Sequence, residues 1–81
     1  MDLHNIQDEL YLLEKHVEFY SHSNRILLQD EVETKQDIIK LSHQLLRIKP
    51  KTISDRWKKY RLKRRIQKLY LKVDSLKTIY N

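Results

Sequence analysis

Apolar residues recur at steps of three and four along almost the whole chain. Leu3, Ile6, Leu10, Leu13, Val17 and Tyr20 form one run, and Ile38, Leu41, Leu45 and Ile48 a second. Leu62, Ile66, Leu69, Val73, Leu76 and Tyr80 form a third. Such steps keep side chains on one stripe of an α-helix, whereas a half-buried strand alternates with period two. No stretch alternates for long enough to argue for a strand. The pattern predicts an all-α protein, either a small three-helix bundle or a helical hairpin. A chain of 81 residues buries only about 60% of its unfolded surface, so a homodimer is compatible with both.

Local signals set the boundaries. Thr34 and Thr52 are each followed three residues on by an acid, Asp37 and Asp55, and then by apolar residues, which is the form of a capping box. Pro50 disfavours helix at Lys49. Helices are expected near residues 3–28, 34–48 and 53–79. One alternative breaks the first helix at residues 21–24, Ser-His-Ser-Asn, which have poor helix propensity. Another runs a single helix to Ile48, because the heptad phase is unbroken from Leu3 with Asn24, Glu31 and Thr34 as polar interruptions. One core Asn can fix coiled-coil register, but Glu31 and Thr34 after it leave that seam polar for too long. Connections this short leave no room for a linker, so residues 1–81 are expected to form a single helical domain.

Charge divides the chain unevenly. Residues 1–37 carry nine acids against Lys15, Arg25 and Lys35, a net −6, while residues 38–81 carry fourteen bases against Asp55 and Asp74, a net +12. The acidic half could fold on the basic half, yet complete pairing would still leave the net +6 of the whole chain. That excess argues for an anionic partner.

The excess is concentrated in RWKKYRLKRRIQKLYLK, residues 56–72. This stretch holds nine cations (Arg56, Lys58, Lys59, Arg61, Lys63, Arg64, Arg65, Lys68 and Lys72) and no acid, with Trp57 and Tyr60 among them. With Leu62, Ile66, Leu69, Val73 and Leu76 turned to a partner helix, cations occupy the other sides. Such a helix can track a phosphate backbone, because each neutralised phosphate releases condensed counterions. Arg and aromatic side chains together add stacking and cation–π contacts for exposed bases. The competing reading is structural: long cationic side chains lie along the seam and pair with acids of the first helix. Trp57, with Ile53 and Tyr60 in a 4–3 set, is expected to point into the bundle, since Trp is seldom left exposed without use. If exposed, it is the leading hot-spot candidate.

Other chemistries find little support. The chain has no Gly and no Cys, so it lacks a phosphate-cradling Gly-rich loop, a disulfide frame and a thiol nucleophile. The four His residues, at 4, 16, 22 and 43, form no i, i+4 pair and no HExxH. A metal site needs three or four converging ligands, and nothing sets a nucleophile beside a base. No enzyme, metal, cofactor or small-molecule substrate is expected. The amino-terminal residues are acidic and lack the apolar run of a secretory signal. No window approaches the roughly 18 apolar residues of a membrane span. A cytoplasmic protein is expected. A basic helix with Trp, Tyr and Leu could lie on anionic lipid, but its seam would have to leave the core, so membrane is disfavoured.

Residues 37–48, DIIKLSHQLLRI, include Ser42, His43, Gln44, Leu45 and Leu46. This segment resembles the SQELD-type segment of the small helical-hairpin aspartyl-phosphate phosphatases of sporulation phosphorelays. In that family the acid of the motif is tied to activity; here Leu46 stands in its place, so the activity does not carry over. The resemblance implies a helical hairpin that docks on another protein. Two functional expectations follow. The leading one is a non-enzymatic helical protein that binds DNA or RNA through residues 56–72, and the other is a regulator, an inhibitor or adaptor, that sets the same helix against an acidic protein surface.

Overall fold

The computed structural model describes residues 3–80. Three helices form a bundle: α1 (Leu3–Ser23), α2 (Leu28–Arg47) and α3 (Ile53–Ser75). Two three-residue strands, β1 (Arg25–Leu27) and β2 (Lys77–Ile79), pair in parallel with Ile26 opposite Thr78. The bundle is long and thin, 47 × 18 × 16 Å.

Its core is the three apolar runs. Ile6, Leu10 and Val17 of α1 meet Ile38, Leu41 and Leu45 of α2 and Leu62, Ile66, Leu69 and Val73 of α3. Leu76 and Ile26 close the cluster at the strand end. Each such aliphatic side chain contributes about 1.5–3 kcal/mol by leaving water, so the stripe on each helix sets how it packs.

The first helix ends earlier than residue 28. Asn24 has φ 55°, and its amide bonds back to the Ser21 carbonyl at 3.2 Å. Asn tolerates this left-handed conformation and serves as a C-terminal stop. The break at residues 21–24 is thus the arrangement adopted. The second helix starts at Leu28, well before the expected Thr34 cap. Leu27 precedes it without a side-chain cap bond, and Asp30 and Glu31 in the first turn complement the positive helix end instead. Thr34 lies inside α2, 3% exposed and in line with Ile38 and Leu41. Its capping-box pattern is therefore unused.

The start of α3 follows its signal. Thr52 is extended, and its Oγ1 accepts the Asp55 amide at 3.1 Å. Arg47 ends α2, and the Ile48 carbonyl accepts a bond from Lys59 Nζ at 2.8 Å, which satisfies an acceptor that a helix end leaves open. The far end of α3 departs from the expected residue 79. The helix stops at Ser75 and the chain turns extended, so Tyr80 is exposed rather than part of the core.

The strand pair follows from helix direction. Tyr20 near the end of α1 meets Asp30 near the start of α2, and Lys35 of α2 meets Asp74 near the end of α3, so α1 and α3 run together while α2 runs against them. Residues 25–27 and 77–79 therefore leave the same end of the bundle in the same sense. Lys77 donates to the Asn24 carbonyl at 3.0 Å. Tyr20 Oη donates to Asp30 at 2.9 Å, tying α1 to α2 across β1. Partial burial and then this bond push the Tyr20 phenol above its ordinary pKa. Among the described residues no helix is long and apolar enough to cross a membrane.

Candidate polyanion-binding face of the third helix

Because Leu62, Ile66, Leu69 and Val73 face the core, a turn of 100° per residue carries Trp57, Tyr60, Arg64 and Leu71 to the opposite side. Trp57 is 62% exposed, Tyr60 51% and Leu71 65%. This corrects the expectation that Trp57 points inward. The 4–3 set of Ile53, Trp57 and Tyr60 is out of phase with the later seam, and the seam decides which face is buried.

The exposed side chains form an ordered series. The rings of Trp57 and Tyr60 meet edge to face with centroids 6.3 Å apart, and the Arg64 guanidinium lies over Tyr60 at 5.9 Å from its centroid. Such contacts are each worth about 0.5–1.5 kcal/mol and hold wide flat groups outward. Beside them lie Arg56, Lys58, Arg61, Lys63, Lys68 and Lys72, all exposed. Neither these six cations nor Arg64 forms an ion pair with any described residue.

Two of the nine cations are engaged inside the fold. Arg65 is half-buried and pairs with Glu14 of α1 through Nε and Nη2. Lys59 is half-buried on the Ile48 carbonyl. Arg65, paired with an acid of α1, fits the structural reading of the cationic stretch, whereas Lys59 ties α3 to the carbonyl that follows α2. The other seven form no ion pair among the described residues.

A second feature borders this face. Ile38 and Ile39 of α2 with Ile66, Gln67, Tyr70 and Leu71 of α3 line an open, mainly apolar groove of about 380 Å³. Its position is not visible in the helix pattern of α3, because three of its seven lining residues, Ile38, Ile39 and Ser42, come from α2. The exposure of Ile39 and Leu71 together is the signal that reveals it.

No family model matches the chain, no curated protein matches it, and no solved structure matches it. The segment resembling the phosphatase motif lies within α2, with Leu45 in the core and Leu46 exposed where the acid would stand. The helices around it form a three-membered bundle rather than the hairpin that the resemblance implies.

Proposed function

We propose that this is a small, cytoplasmic, non-enzymatic protein that binds nucleic acid along the outer face of α3. The observation that carries the reading is the Trp57–Tyr60–Arg64 series, turned to solvent amid seven cations that form no ion pair among the described residues. Cations at Arg56, Arg61, Lys63, Lys68 and Lys72 would meet phosphates, which position a strand without specifying its sequence. Exposed aromatic rings add a surface on which unpaired bases stack, worth about 1–3 kcal/mol per base. The reading therefore favours single strands over duplex, where bases are already stacked.

Trp57 is the chain's sole Trp, so its fluorescence reports the site directly. Single-stranded oligonucleotides should quench it to saturation. Log affinity should fall linearly with log salt, by about 0.7 per contacted phosphate on single strands and about 0.9 on duplex. The R61Q/R64Q/K68Q variant keeps the core and should flatten that slope by up to about three contacts' worth, on unrelated sequences alike. Absence of quenching and of retention on DNA or RNA at about 50 mM salt, where electrostatic binding is strong, would overturn the proposal.

The second reading is a regulator that docks on an acidic protein. The apolar groove between α2 and α3, which the exposed Leu71 of α3 helps to line, favours it. It predicts weak nucleic-acid binding at physiological salt and loss of one specific protein partner in the triple variant.

A further inference from the structure

The end of the bundle opposite the strands holds a separate feature. A cleft of about 890 Å³ opens between the start of α1, the 48–52 connection and the first turns of α3. Leu3, Ile48 and Leu62 lie at its base, and Lys49, Lys51, Lys58 and Arg61 stand around it. None of these four cations has an acidic partner among the described residues. Among the described residues Asp55 is the one acid in the lining. Arg65 also reaches the cleft but is matched by Glu14, and His4 lies against Asp8 at 3.5 Å.

We infer that this cleft is a binding site for a phosphate ester carried on a compact, flat apolar body, of the size of a nucleotide. Among the described residues four cations face one acid, and a cleft of that positive balance suits a multiply charged phosphate better than a single carboxylate. The positive end of α3 adds to the same field. The apolar base then gives the remainder of the ligand a surface that phosphate alone would not use, and clefts of this size suit small organic ligands.

The cations come from two separate segments, the connection around Pro50 and the second and third turns of α3. The Thr52 cap and the Lys59 bond to the Ile48 carbonyl hold those segments in place. The site is thus built by the fold rather than by one helix. It shares Lys58 and Arg61 with the outer face of α3 and is separable from that face through Lys49 and Lys51. A free nucleotide and the terminal phosphate of a strand present the same chemistry to it.

The test is a heteronuclear NMR titration of the full chain with inorganic phosphate, AMP and ADP. AMP and ADP should shift the amides of residues 3–7, 49, 51 and 58 to saturation, and both should bind more tightly than phosphate. K49Q/K51Q, in the exposed connection, should weaken ADP by about tenfold or more and leave quenching of Trp57 by a 5′-hydroxyl oligonucleotide unchanged. A 5′-phosphorylated oligonucleotide that outbinds its 5′-hydroxyl counterpart, and loses that advantage in K49Q/K51Q, would identify strand ends as the source. Equal binding of the two, with ADP saturating, would identify free nucleotide. Shifts that never saturate, equal affinity for phosphate and AMP, or an unchanged ADP affinity in a folded K49Q/K51Q would each overturn the inference. Should that variant not fold, the wild-type comparison of phosphate with AMP decides alone. Failure of oligonucleotides to quench Trp57 would overturn the reading of α3 and leave the cleft to its own titration.

Discussion

Asn24 carries the one positive φ among the described non-glycine residues, and the course of the chain depends on it. A left-handed residue reverses the backbone after α1, so that its carbonyl meets Lys77. An ordinary L-residue pays about 1–2 kcal/mol for that conformation, and Asn less. Asn24→Gly should therefore change stability by only a few tenths of a kcal/mol, because Gly fits the angle but frees the unfolded chain. Asn24→Ala should lose about 1 kcal/mol in urea unfolding. Equal stabilities for the two variants would mean that the turn does not rely on φ. At this scale the sequence was partly legible: Thr52 signals its cap, whereas Thr34 has the same pattern and is buried. A cap needs a chain end there, and the helix had already begun at Leu28. Trp57 misleads for a related reason. Three local positions suggest a stripe, but the face that packs is chosen by four later residues acting together.

Elements were legible wherever the apolar period is long, which covers all three helices. The strands were not, since three residues cannot show a period. Their trace in the sequence is the set of polar interruptions in the seam. The Asn24 carbonyl takes the Lys77 amide, and Glu31, with its side chain 13% exposed, accepts the Thr78 hydroxyl. Glu31 also holds Lys35 at 2.9 Å, and Lys35 holds Asp74 at 2.8 Å while lying 5.5 Å from the Tyr70 ring centroid. The Thr78 hydroxyl, and then Lys35, keep the Glu31 carboxyl below its ordinary pKa. Its folded state therefore binds the proton less readily than the unfolded chain. The resulting stabilisation is present above the ordinary glutamate value, about 4.3, and is lost as pH falls through the depressed folded value. Lys35 is shifted the other way, upward, by Asp74 and then Glu31. Its contribution persists below the ordinary lysine value, about 10.4, and fades only as pH rises through the raised folded one. Acidification below the glutamate range should thus release residues 77–79 while the helices persist. Amide exchange at Lys77 and Thr78 would show it, and Glu31→Gln should remove most of the pH step. Simultaneous loss of strand and helix protection would contradict this account of the tie.

Across the whole molecule, the opposing charges of the two halves do little to cancel each other. Glu14–Arg65 joins an acid of the first half to a base of the second, while Lys35–Asp74 joins them in the reverse sense. Seven cations of α3 are exposed and form no ion pair among the described residues, crowded on one helix. Self-repulsion on this scale destabilises a compact state, and salt relieves it. A fold held by mutual attraction of its halves would instead weaken as salt screens that attraction. The two accounts therefore differ in sign. Raising ionic strength from about 0.01 M to about 0.1 M shortens the screening length from about 30 Å to about 10 Å. Wild-type Tm should rise over that range, on the order of 5 °C for a domain of this size. R61Q/R64Q/K68Q should begin with a higher Tm at low salt and rise less. A fall in wild-type Tm with added salt, or a triple variant less stable than wild type, would mean that these cations serve the fold. The rise expected instead would mark cation density carried at the expense of stability.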